Sequence, residues 1–170
     1  PNKGAVIAPP AAEDVRQIFA ARRLLEIGII DEACEHCEAA DTAALKGIVA
    51  RENAAIQSGD RSGAIRLAGE FHVELARVAR NRPIQELLRQ LVAQSSLALA
   101  LYEAPGHLLC VDDDHIDIIT AVSAGDAAKS RDLMAKHLAK AEAEMKLEAP
   151  EDNNDLKSVF ADVIDARAGV

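Results

Sequence analysis

Asp112-Asp113-Asp114-His115-Ile116-Asp117-Ile118-Ile119-Thr120-Ala121, closed by Gly125-Asp126 and followed by Met134 with His137-Leu138, is the stretch whose reading decides the fold. Its acidic opening suits the positive end of a helix. Gly125 can terminate that helix, and Asp126 can cap a second one that runs towards Leu147. The same grammar of apolar helical period, glycine or proline stop and acidic or hydroxyl cap repeats upstream. A first helix is expected from about Glu13 to Ile30, with Val15, Ile18, Phe19, Leu25 and Ile29 near one stripe. A break around Gly28 to Asp31 divides it from a shorter helix through Cys37. Asp41-Thr42 can cap a third helix ending near Ser58-Gly59-Asp60, and Arg61 to Arg80 makes a fourth. Asn81-Arg82-Pro83 reads as a stop and a start. The fifth helix, Ile84 to about Glu103, places Ile84, Leu87, Leu88, Leu91, Ser95 and Leu99 on its buried face.

These elements define an all-α fold, an antiparallel helical bundle of six to seven helices. The 170 residues suit one domain, and 49% hydrophobic content can fill a core. With 2% aromatics and no Trp, that core must be aliphatic. The expected organisation is a short extended segment and linker over 1–10, a helical domain over 11–149 and a tail over 150–170 with one further short helix.

Charge and cysteine content narrow the function. A net charge of -9 argues against this chain gripping a phosphate backbone with its own surface. Cys34, Cys37 and Cys110 are an odd number in a chain that needs no disulfide staples, which points to a reducing cytoplasm. No apolar run is long enough to span a membrane, and no signal-peptide pattern is present. Cys34-Glu35-His36-Cys37 contains C-x-x-C but lacks a second ligand pair or a βαβ setting, so these are read as buried structural cysteines.

The histidines carry the chemistry. His72, His115 and His137 lie in three separate amphipathic helices, and neutral imidazoles are good ligands for zinc, nickel and similar ions. Bundle cores bring such side chains to a common centre, whereas any one of them alone could be a packed core imidazole.

Glu70-Phe71-His72-Val73-Glu74-Leu75-Ala76 with Asn81 resembles the D-x-x-F-H-x-x-L…N signature of the FadR C-terminal (FCD) domain of GntR-type transcription regulators. His115 to Ala121 with Gly125-Asp126, then Met134 and His137-Leu138, is similar to the same domain's H-x-x-I-x-x-A-I-x-x-G-D…M-x-x-H-L segment. Arg22-Arg23-Leu24-Leu25-Glu26 with Ala33 resembles its R-x-x-L-E…A stretch. The resemblance spans about Glu13 to Ala139. It implies a homodimeric sensor fused behind an N-terminal winged helix-turn-helix, binding a small carboxylate effector, with operator DNA reached only through that other domain. Asn2 to Ile7 resembles the wing strand of such a head. It also implies a divalent metal, zinc or nickel, on His72, His115 and His137. The family's fourth ligand, an aspartate four residues before the first histidine, is here Ala68. Glu70 and Glu74 face away from His72, while Asp112, three residues before His115, could reach the same side where the helix is only beginning. Losing that carboxylate has two outcomes: the metal is lost and the three histidines become polar lining, or the ion keeps three imidazoles and an open position for water or an effector carboxylate.

For effector contact the residues are Arg22, whose planar fork suits a carboxylate, with Gln94 and Ser95 as polar lining. A simpler use of Arg22 is an intrahelical pair with Glu26, four residues on. The alternative class is a helical metalloenzyme with an open three-histidine site, for which no general base is recognisable.

Overall fold

A computed structural model of the chain describes residues 10–102, 114–145 and 147. Seven helices lie in this range: α1 (Ala12–Gly28), α2 (Ile30–His36), α3 (Ala39–Ser58), α4 (Arg61–Val78), α5 (Arg82–Tyr102), α6 (Asp114–Ser123) and α7 (Ala127–Ala143). The bundle and the order of its helices follow the expectation. Residues 1–9 of the segment expected to be extended, with Cys110, His107, Asp112 and the tail beyond 147, lie outside the described residues.

The caps explain the boundaries. Asp60 accepts from the Gly63 amide at 2.8 Å to start α4, and Asp126 accepts from the Lys129 amide at 3.0 Å to start α7. Asn81 does the same for Ile84, with Pro83 in the first turn of α5. One cap differs from the sequence reading: α3 begins two residues before Asp41. Glu38 is its N-cap and Asp41 the reciprocal partner of a capping box, so Asp41 caps from inside the helix. Gly59 and Gly125 close α3 and α6 in the left-handed region, at φ 78 and 71, where a Cβ would be strained.

α4 is the central helix and packs against α3 and α5, while α7 packs against α1 and α6. Two apolar clusters result. One gathers Ile29, Ile30, Leu45, Phe71, Leu75, Ile118, Ile119 and Leu138; the other holds Val15, Phe19, Ile65, Leu99, Tyr102 and Ala141. Along α1 the buried stripe passes from Val15 and Phe19 through Arg22 and Glu26 to Ile29, so a charged interruption lies between the two clusters. Ile18 and Leu25, expected on that stripe, are only half-buried. Leu87, expected inside, is 51% exposed, because Leu88 takes the inward position one residue on.

Close approach fixes α4 against α5 at Gly69. A Cβ there would meet Val92 Cγ1 at 2.8 Å and Ser96 Oγ at 3.2 Å. Gly69→Val is therefore expected to destabilise the fold by about 1–3 kcal/mol through overpacking, readable as a lower urea midpoint.

Candidate metal centre

His72 from α4, His115 from α6 and His137 from α7 are each at least 96% buried and converge on one point. His137 Nε2 lies 3.2 Å from His115 Nε2 and 3.2 Å from His72 Nε2. The three ligand nitrogens all fall within 4.8 Å of one another. Phe71 orients the group. Its ring lies 4.1 Å from that of His115 at a 31° tilt and meets His72 edge-on at 5.2 Å.

Each imidazole has a carboxylate behind it. His72 Nδ1 is 2.6 Å from Glu26 Oε2 on α1, and His115 Nδ1 is 2.9 Å from Glu52 Oε2 on α3. His137 Nδ1 is 3.6 Å from Asp114 Oδ2, a charge contact longer than a hydrogen bond. The His72–Glu26 contact is short but poorly aligned, since neither atom completes a hydrogen bond of good geometry. Glu26 is 1% exposed. Its burial alone would raise its pKa, yet the Arg22 charge and then His72 outweigh that and hold it well below the usual carboxylate range. Burial pushes the pKa of His72 down against the pull of Glu26, and burial likewise lowers that of His137. Asp114 is held low by its contact with His137, with Lys140 assisting.

Ionised carboxylates can only accept, so a neutral His115, hydrogen-bonded to Glu52, carries its proton on Nδ1 and its lone pair on Nε2, and the carboxylates facing Nδ1 of His72 and His137 favour the same tautomer. Three lone pairs then converge, with His137 Nε2 3.2 Å from each of the other two, an arrangement that repels unless a cation lies between them. Nitrogens bonded at about 2.0–2.1 Å to one ion sit about 2.8–3.4 Å apart for right-angle to tetrahedral geometry. The observed 3.2 Å spacing fits. So does the donor set, since imidazole backed by carboxylate is the usual outer arrangement of metal-binding histidines.

Arg22 is also interior. Its Nε donates to Glu26 Oε1 at 2.7 Å and its Nη1 to Ser95 Oγ at 3.0 Å, while Nη2 is buried without a partner. The intrahelical pair and the interior position therefore coexist. Ser95 is fully buried on α5 beside Arg22. Gln94 is not brought there: it is exposed and lines a shallow groove with Asp14, Gln17 and Leu91, because one residue along a helix turns the side chain by about 100°.

Ala68 stands where the resemblance places a carboxylate ligand, and it is half-buried. Glu70 pairs with Arg51 and Arg66, and Glu74 with Arg77, on the surface as anticipated. Helical spacing marks Glu26 only as a partner for Arg22. A signal for Glu52 existed in the stripe Leu45, Ile48, Val49, Glu52, Ala55, where a charge occupies an apolar register. Cys34 and Cys37 are half-buried, short of the full burial expected, and hydrogen-bond weakly to Ser130 and Thr42. Burial pushes the Cys34 thiol up, away from the thiolate form that binds metal.

An all-helical bundle with a carboxylate-backed imidazole cluster at its centre is the class of protein these features define. The family model for the FCD domain matches residues 17–140, and the chain belongs to that family. The HTH-type transcriptional regulator LutR of Bacillus subtilis (strain 168) is 28% identical over 139 residues, covering 76% of this chain and 61% of LutR. The chain thus spans about six-tenths of that relative's length. Among solved structures, E. coli McbR/YncC superposes with a TM-score of 0.71 at 19% identity, covering 81% of this chain and 70% of the other. A transcriptional regulator, GntR, from Rhodococcus sp. RHA1 gives 0.70 at 22% identity, covering 84% and 69%. These likenesses share the fold. No helix among the described residues is long and apolar enough to cross a membrane.

Proposed function

We propose that this chain is the effector-sensing and dimerising domain of a cytoplasmic GntR-type transcription regulator, holding a divalent ion, zinc or nickel, on His72, His115 and His137. The observation that carries the reading is the convergence of three Nε2 atoms, each with Nδ1 facing a carboxylate. The bound ion would supply a Lewis-acidic centre with an open position, suited to a carboxylate group. The chain's own residues supply the rest. Glu26 and Glu52 against Arg22 leave one negative charge enclosed, and a divalent ion reverses it to one positive. That balance favours an anionic effector, and the unpartnered Arg22 Nη2 beside Ser95 offers it a buried donor. Operator DNA is reached through an N-terminal winged helix-turn-helix, because the acidic net charge of this domain repels phosphate. The effector acts by binding one arrangement of the dimer better than another. Regulation, rather than catalysis, agrees with the transcriptional regulators among its relatives.

Calorimetric titration with mono-, di- and tricarboxylates tests this reading. Binding is expected in the metal-loaded protein and is expected to disappear with a chelator. Equal binding in both states would contradict it.

A further inference from the structure

Glu52 is 2% exposed, and among the described residues its carboxylate pairs with no lysine or arginine. Its partner is His115 Nδ1 at 2.9 Å. Burying a carboxylate opposite a neutral imidazole is costly, because the hydration it loses is replaced by one uncharged donor. The cost falls if the far side of the ring faces a cation, since a cation on Nε2 makes the Nδ1 proton a stronger donor. Glu26 faces His72 Nδ1 at 2.6 Å in a less well aligned contact and is anchored by Arg22, which Ser95 holds in turn. The helix turn that would present a carboxylate to the ion directly carries Ala68 instead.

We propose that Glu26 and Glu52 are the positioning residues that set metal affinity in this domain, supplying from behind the imidazoles the negative charge and ring orientation that Ala68 does not supply from in front. Neither touches the ion. Each acts through one ring: Glu26 through His72 and Glu52 through His115. α1 and α3, which carry no metal ligand, are thereby tied to the occupancy of the centre. Arg22 and Ser95 extend the tie to α5.

This inference rests on the reading that the three histidines hold a metal, and the test separates the two. Zinc affinity of the untagged full chain is measured by competition with a chromophoric chelator for wild type, Glu52→Gln and the double variant Arg22→Gln with Glu26→Gln. Glutamine keeps the shape of glutamate and removes its charge, and the accompanying Arg22→Gln avoids leaving an uncompensated buried guanidinium. Each variant is expected to bind zinc about 10–100-fold more weakly, as for other outer partners of metal-bound histidines. Cobalt-loaded samples are expected to show an altered visible spectrum. A glutamate that only packs would change the unfolding temperature of the metal-free protein and leave both readouts alone. Nitrogen-15 spectra of the metal-free wild type, which need no variant to fold, are expected to show His115 protonated on Nδ1. Variants that bind zinc as wild type does, or a His115 protonated on Nε2, would overturn the inference while leaving the metal site standing. A wild type that binds no zinc would overturn both.

Discussion

Glu26→Leu, with Arg22 left in place, is expected to destabilise the metal-free domain by about 3–5 kcal/mol, the scale of leaving one member of a buried ion pair uncompensated. The guanidinium of Arg22 would keep only Ser95, with its Nε donor now unpaired beside the already unpartnered Nη2. Removing both charges together, as Arg22→Met with Glu26→Leu, is expected to be neutral or stabilising by about 1–4 kcal/mol, because apolar groups of similar volume avoid the desolvation cost. Urea midpoints at fixed protein concentration in the presence of chelator check both. The signature is strong non-additivity in the double-mutant cycle. If the single and double variants lose the same stability, the pair is not the unit described here.

The second large effect concerns His137→Ala. His137 Nε2 is the atom that approaches both other imidazoles at 3.2 Å, so its removal leaves two nitrogens, fewer than the three protein ligands usual for an open zinc site. With zinc at about 100 times Kd, the wild type is expected to gain about 2.7 kcal/mol by mass action. The variant is expected to gain almost nothing, although its metal-free stability will itself be lower because of the cavity. Thermal unfolding with zinc and with chelator reads the difference directly. An undiminished zinc-induced shift in His137→Ala would remove this residue from the site.

Local signals made the helices legible. Asp60, Asn81, Asp126, Gly59 and Gly125 act within three or four residues of themselves, and the sequence shows all of that interaction. The N-cap of α3 lies three residues before Asp41 because a capping box uses two acidic positions, and either can be taken for the N-cap. The three histidines were legible for a different reason. Each falls at an inward register of an amphipathic helix, and three such positions in one bundle point to a shared interior. Glu26 and Glu52 were not legible as their partners, since helical spacing reveals neighbours along one helix but not which face of α1 or α3 meets α4 or α6. The same limit applies to Arg22. Its pairing with Glu26 follows from a spacing of four, whereas its contact with Ser95 on α5 requires the packing of two helices. Gln94, expected with Ser95 as polar lining, shows the opposite error, because adjacent residues on a helix diverge.

The central claim is that His72, His115 and His137 bind one ion through Nε2. X-ray absorption at the zinc edge, together with elemental analysis of untagged protein, tests it most directly. Zinc-loaded protein is expected to hold one ion per chain, with imidazole nitrogen scattering at about 2.0–2.1 Å and no sulfur at about 2.3 Å. Substoichiometric metal, or a sulfur shell from Cys34 or Cys37, would contradict it.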